Sequence, residues 1–150
     1  MTLEFRIVSM DHPDASMLLD ELCLKLTKIV GHDGTMFLRP SDFSKPRAMF
    51  AVGYLDGDPI CCAGVREMNS TTGEVRRVYA RRNNVGAARQ LMTWLEQWAM
   101  KQKYSELRLE CRNTNPHAIE FYKQNGYSVC EKYGPYIHES DAVCMKKAIS

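Results

Sequence analysis

Leu3-Glu4-Phe5-Arg6-Ile7-Val8 alternates apolar and polar positions as a half-buried strand does. The period then changes. Leu18, Leu22, Cys23, Leu26 and Ile29 recur at helical spacing, predicting a helix capped by Asp11 that runs to about Val30 and is ended by Gly31-His32-Asp33-Gly34. Thr35 to Arg47 holds two prolines and mixed polarity, which predicts a loop with one short helical turn near Asp42. Ala48 to Leu55 and Pro59 to Met68 are apolar, β-branched or aromatic runs joined by Asp56-Gly57-Asp58, a strong hairpin signal. Asn69 to Gly73 is a second turn, and Glu74 to Ala80 a third strand that completes a meander.

A second helix opens at about Gly86 and keeps Ala88, Leu91, Leu95 and Trp98 on one stripe to roughly Lys103. Leu107, Leu109 and Cys111 alternate with Arg108, Glu110 and Arg112 in a short strand. Asn115-Pro116 then supplies an N-cap with proline at the first helical position, predicting a helix over Pro116 to Gln124 that stops at Asn125-Gly126. Tyr127 to Lys132 and Ala142 to Ala148 read as the last strands. This order of elements gives an α/β (α+β) domain, a mixed sheet with helices packed on it, and not a regularly alternating parallel sheet.

With 150 residues, 45% hydrophobic and 25% charged, the chain reads as a single domain over 1–150 that can bury a core without disulfides or a structural metal. No stretch approaches the roughly 18 apolar residues of a membrane span, and Met1-Thr2-Leu3-Glu4-Phe5-Arg6 lacks the order of a secretory signal, so the expectation is a cytoplasmic protein with no membrane partner. The six cysteines form no C-x-x-C pair, and the adjacent Cys61 and Cys62 would point to opposite faces of a strand. They read as small buried hydrophobes, with a nucleophilic cysteine as the minor alternative. His12, His32, His117 and His138 have no partner at metal-ligand spacing, and no metal is assigned.

Lys+Arg exceeds Asp+Glu by only two, 20 against 18, so net charge names no partner. Its distribution is more telling: Val75 to Leu95 contains Arg76, Arg77, Arg81, Arg82 and Arg89 with no acidic residue, a field that would favour an anion. The helix opening at Gly86-Ala87-Ala88 has small residues and no carboxylate in its first turn, which leaves N–H groups and a positive dipole end open to a phosphate. By residues alone it is equally an ordinary strand-to-helix turn. The same arginines with Tyr79 would suit a nucleic-acid-binding module, but the small net charge argues against an extended basic face.

The order of strand Val75 to Ala80, glycine-containing loop, helix, strand Leu107 to Cys111, and then Asn115-Pro116-His117-Ala118-Ile119-Glu120-Phe121-Tyr122-Lys123-Gln124-Asn125-Gly126-Tyr127 resembles the GNAT superfamily of acyl-CoA-dependent N-acetyltransferases. The resemblance covers about Ala48 to Ile149 and is most specific from Asn115 to Tyr127. It implies a GNAT-like, mostly antiparallel central sheet flanked by helices, with acetyl-CoA as co-substrate. The backbone of Val78, Tyr79 and Ala80 would pair with the pantetheine, and N–H groups of Asn83, Asn84, Val85, Gly86, Ala87 and Ala88 would hold the pyrophosphate. Arg82 and Arg89 would add charge, Asn115 would touch the pantetheine, and Tyr122 would sit beside the sulfur as general acid. Asn83 departs from the family's usual Gln or Arg.

The implied reaction is direct attack of a primary amine, small-molecule or peptide, on acetyl-CoA, in a monomer or a homodimer. An alkylamine near pKa 10 reaches its neutral form at neutral pH only at a cost of about 4 kcal/mol, so a base is useful. Glu74 opens the strand leading to the loop and is the first candidate, with Glu67 and Glu110 behind it; a solvated strand-end glutamate is the other reading of Glu74. The other reading of Tyr122 is an aromatic core residue in an amphipathic helix. Tyr133-Gly134-Pro135-Tyr136 would border the acceptor pocket or form a rigid turn. A non-catalytic acyl-CoA sensor or interaction module of the same fold is the alternative to catalysis.

Overall fold

The computed structural model describes residues 2–81 and 85–149. Strand β1 (Glu4–Val8) leads into helix α1 (Pro13–Val30), then a 3-10 turn at Pro40–Ser44, and strands β2 (Met49–Leu55), β3 (Asp58–Glu67) and β4 (Thr72–Ala80). Helix α2 (Ala87–Lys101), strand β5 (Glu106–Arg112), helix α3 (Pro116–Gln124), strand β6 (Ser128–Val129), a second 3-10 turn at Gly134–His138 and strand β7 (Ala142–Ala148) complete it. One seven-stranded sheet runs β1-β2-β3-β4-β5-β7-β6, and among its pairs only β4 with β5 is parallel.

Strand alternation divides the core between the two faces. Phe50, Val52, Tyr54 and Cys62 meet Ala15 and Leu18 of α1 and Phe43 of the first 3-10 turn. Met49, Ala51, Cys61, Ala63 and Val65 meet Leu91, Met92, Leu95 and Ala99 of α2 on the opposite face. Cys61 and Cys62 therefore lie on opposite faces, as the alternation predicts. The β2–β3 hairpin closes through Asp56 and Gly57, both at positive φ, the conformation that makes an Asp-Gly pair suited to a two-residue loop.

Three local expectations need correction. The cap of α1 is His12, whose Nδ1 accepts from the Asp14 N–H at 3.1 Å; Pro13 occupies the first helical position and so puts the cap one residue past Asp11. Strand β4 begins at Thr72, because the Asn69 side chain accepts from the Thr71 and Thr72 N–H groups and finishes the turn early. The strand expected over Tyr127 to Lys132 shrinks to Ser128–Val129: Gly134 at positive φ and Pro135 divert the chain into the second 3-10 turn.

The feature that shapes the site is a bulge in β4. Cys62 faces Tyr79 and Gly64 faces Arg76, so Ala63 of β3 stands opposite two residues, Arg77 and Val78, with Arg77 at φ 59°. The bulge turns β4 aside. Its parallel pairing with β5 stops at Glu74–Arg108, although β5 stays paired with β7 as far as Arg112. The two strands diverge beyond that point, opening a seam in the middle of the sheet.

Close packing on the α1 face gives a stability test. A Cβ built on Gly64 would lie 2.5 Å from Phe43 Cε1, so Gly64→Ala must displace a buried ring. We expect a loss of about 1–3 kcal/mol in urea unfolding, partly recovered by adding Phe43→Leu; an unchanged midpoint would contradict this packing.

Candidate functional site

The seam holds a cavity of about 110 Å³. Its walls come from both layers: Leu22, Leu26 and Val30 of α1, with the loop at His32, Gly34 and Met36, on one side, and Ala118 and Tyr122 of α3 on the other. Val75 to Val78 of β4 and Leu109 to Arg112 of β5 form the flanks, and Tyr136 closes an end. A cavity with walls from both layers passes through the sheet, which is feasible only where adjacent strands are not paired.

Its polar lining is unusual. Among the described residues, the buried side-chain polar atoms without a hydrogen-bond partner are His32 Nε2, Arg76 Nη1, Arg77 Nε, Glu110 Oε2, Arg112 Nε and Tyr136 Oη, and every one belongs to a residue lining this cavity. Glu110 Oε2 and Arg112 Nε are 2.9 Å apart, an ion pair without hydrogen-bond alignment. Left dry, each unsatisfied group costs about 1–3 kcal/mol, and together they would offset much of the ~5–15 kcal/mol by which a domain is stable. Water or a polar ligand must therefore meet them.

Glu110 is the acid of the cavity. Burial raises its pKa above the ordinary carboxylate value, partly opposed by Arg112 and Arg76. Glu74 lies elsewhere: it is 4% exposed and does not line the cavity, and its oxygens accept from Arg66 Nε at 2.7 Å and the Tyr133 O–H at 2.8 Å. It is a buried ion-paired residue and not the solvated strand-end glutamate of the simpler expectation. Glu67 is exposed and paired with Arg47.

Tyr122 is a core residue that also reaches the cavity. Its ring packs edge-on against Phe121 and Tyr127 in the core, and the residue also forms part of the cavity wall. Burial pushes its hydroxyl pKa well up, so it keeps its proton. Cys111, also in the wall, has its thiol pushed up to about 12 by burial, and Cys61 likewise. Neither supplies a thiolate near neutrality.

The expected anion-binding stretch divides. Bulged β4 directs Arg76, Arg77 and Tyr79 toward α1, where Arg77 Nη1 donates to Asp33 O at 2.9 Å and the Tyr79 O–H to Glu21. Arg81 forms an ion pair with the same Glu21. Among the described residues of the run, these side chains turn to separate partners. Arg82, Asn83 and Asn84 lie outside the described residues. Beyond them, Gly86 adopts a left-handed conformation at the start of α2, with open space where a Cβ would stand. The first turn there has no acidic residue, Ala87 is buried, and Arg89 is exposed. Val85 is fixed through its carbonyl, which accepts from the Gln90 side chain at 2.9 Å.

Val78 and Ala80 sit on the unpaired stretch of β4, whose β3-facing side is occupied by pairs such as Cys62–Tyr79 and Cys61–Ala80. Asn115 caps α3, its side-chain oxygen accepting from the Ala118 N–H at 3.4 Å. His32 and Arg112 stand outside the expected site residues, and Arg76 stands there only as one of the run of arginines. The signal for Arg112 was available: Arg108, Glu110 and Arg112 put charge on every second position of a central strand.

The model for the acetyltransferase (GNAT) family matches residues 17–127. No curated protein matches the sequence significantly. Among solved structures, a Klebsiella pneumoniae protein provisionally classed as an acyl-CoA N-acyltransferase superposes with a TM-score of 0.79 at 21% identity, covering 99% of each chain. The PaiA N-acetyltransferase of Thermoplasma acidophilum, solved with coenzyme A, gives 0.72 at 16% identity over 99% of each chain. A GNAT-family acetyltransferase of Elizabethkingia anophelis, solved with acetyl-CoA, gives 0.69 at 12% identity over 97% of each chain. Among the described residues no cluster of His, Cys, Asp or Glu suits a metal, and no helix is long and apolar enough to cross a membrane.

The Glu74 network is testable apart from any activity. Arg66→Met leaves the Glu74 carboxylate buried without its cation, and urea unfolding should show a loss of about 3–5 kcal/mol. A loss under 1 kcal/mol would mean that the pair is not closed in solution.

Proposed function

The chain belongs to the acetyltransferase (GNAT) family, and on that premise we propose that it transfers an acetyl group from acetyl-CoA to a primary amine by direct attack. The observation that carries the reading is the opened seam, with a strand edge free of a partner on its β5 side and a cavity lined by one acid, Glu110, and two protonated phenols, Tyr122 and Tyr136. Val78, Tyr79 and Ala80 would offer their backbone to the pantetheine. The run from residue 82 through Val85, Gly86, Ala87 and Ala88 would take the pyrophosphate, with Arg89 beside it and Asn115 near the pantetheine. The residues present fit that role: glycine at the left-handed position, an acid-free helix start and space above it.

We assign the base to Glu110 in preference to Glu74. Glu74 is buried outside the cavity with both oxygens already accepting, from Arg66 and Tyr133, whereas Glu110 lines the cavity and its Oε2 accepts no hydrogen bond. A carboxyl raised by burial is closer to the amine in pKa, so proton transfer between them is less uphill. On the other side of the seam Tyr122 gives its proton to the departing sulfur. A thiol has pKa near 8.5, so this help is modest.

Calorimetric titration with acetyl-CoA followed by thiol release with an amine panel tests the reading. Gly86→Asp, which aspartate's tolerance of the left-handed region lets fold, should abolish acetyl-CoA binding; unchanged affinity would put the cradle elsewhere. Tyr122→Phe should lower kcat at nearly constant acetyl-CoA affinity, and equal kcat would make Tyr122 a core residue only. The sign of the pH dependence follows from the base: an ionised Glu110 is required, so activity falls as pH drops through its raised pKa. Glu110→Gln should be slower by about 10²–10⁴-fold near neutrality and recover toward pH 9–10, on the order of the amine's own pKa. Should Glu74→Gln show that behaviour instead, with Glu110→Gln unaffected, Glu74 is the base. Acetyl-CoA binding with no thiol release from any amine would favour a sensor.

A further inference from the structure

The proton arrangement at the end of the cavity nearest Tyr136 is legible. His32 Nδ1 accepts from the Gly34 N–H at 3.2 Å, so in the neutral ring the proton is on Nε2, which faces no partner. Arg76 Nη2 is held by the carbonyls of Gly34 and Met36, at 3.2 and 3.4 Å, while Nη1 is buried and unpartnered. Tyr136 is 2% exposed, its O–H has no acceptor, and Arg76 lies over its ring at 5.8 Å. These three unfilled donors line one cavity, together with the Arg77 and Arg112 Nε–H groups, which are likewise unpartnered, and Arg76 brings a cationic charge to it.

The charges point the same way. Arg112 is matched by Glu110, Glu139 and Asp141, and Arg66 by Glu74 and Asp42. Arg76 and Arg77, among the described residues, have no carboxylate within ion-pair distance; Arg77 is held by Asp33 O and Cys23 Sγ, which leaves Arg76 Nη1 as the free guanidinium N–H₂, and Glu110 is the cavity's single unfilled side-chain acceptor. A ligand complementary to this lining is acceptor-only at one end and donates at the other.

Resting on the acetyl-transfer reading, we propose that the acceptor is a small amino acid, its carboxylate held by Arg76 Nη1, Tyr136 Oη and His32 Nε2 and its amine turned toward Glu110. A carboxylate is the small group that accepts from several donors and offers none, and a guanidinium matches it in charge and plane. A carboxamide places an N–H₂ against the same donors. A simple amine leaves all three donors unfilled. The order of preference is therefore amino acid, then matched amide and decarboxylated amine.

The test titrates the full chain with the common free amino acids and with the carboxamide and decarboxylated amine of each, with and without saturating coenzyme A. At least one free amino acid should bind about ten- to a hundredfold more tightly than its amide. Arg76→Gln should reduce that ratio to near one, Arg76→Lys should retain part of it, and Tyr136→Phe should lower it less. In thiol-release assays Arg76→Gln should raise the amino acid's KM far more than it lowers kcat, with acetyl-CoA affinity unchanged. Equal binding of amide and acid, a ratio that survives Arg76→Gln, or no binding of any amino acid overturns the proposal. Acetyl-CoA affinity of the unmodified chain reports separately on acetyl transfer: its loss would refute that reading, while the acid-to-amide ratio measured without coenzyme A still decides the chemistry of the cavity.

Discussion

A single extra residue in β4 sets the geometry of this molecule. Ala63 cannot pair with both Arg77 and Val78, so the chain places Arg77 in the left-handed region, a conformation that costs a non-glycine residue about 1–3 kcal/mol. The surroundings hold it there: Arg77 is 7% exposed, its guanidinium donates to Asp33 O and meets Cys23 Sγ at 3.0 Å. Two consequences follow from the same offset. The parallel ladder to β5 ends at Glu74, and Arg76 and Arg77 both face α1, where they hold the carbonyls of residues 33, 34 and 36. Strand edge, cavity and the loop that roofs it are one construction.

Two polar networks on either side of the bulge show opposite solutions to burying charge. Before it, Asp42, Arg66, Glu74 and Tyr133 form a closed chain in which each charge has a partner. Beyond it, His32, Arg76, Tyr136 and Glu110 expose unfilled donors and an acceptor to a common space. A closed network makes the fold specific, whereas an open one is costly unless something occupies it. The open one is where a ligand gains affinity by supplying the missing partners.

Much of the fold was legible because local chemistry and tertiary context agreed. The Asp56-Gly57 hairpin, the Asn115-Pro116 helix start and the periodicity of α1 and α2 all appear where pattern and turn residues put them. The bulge left no mark, because arginine is not a residue that announces a positive φ. With it went the site: without the offset, Arg76, Arg77 and Arg81 read as one anion-binding run, whereas Arg81 pairs with Glu21 and Arg76 and Arg77 turn to the cavity and the carbonyls of residues 33, 34 and 36. Glu74 and Glu110 could not be ranked by sequence, since what separates them is the Arg66 and Tyr133 contacts formed across 8 and 59 residues. His32 looked like part of a helix stop, and only the fold brings it to Arg76 and Tyr136.

The most direct test of this account is amide hydrogen exchange, because it reads the opened strand edge itself. In the free protein, part of the backbone between residues 75 and 81 should exchange quickly although it lies in the centre of a sheet, while β2 and β3 stay protected. Acetyl-CoA should slow exchange there and at the start of α2, leaving β1 and β7 unchanged. Slow exchange across residues 75–81 before acetyl-CoA is added, or protection gained elsewhere on adding it, would contradict an edge left open by the bulge.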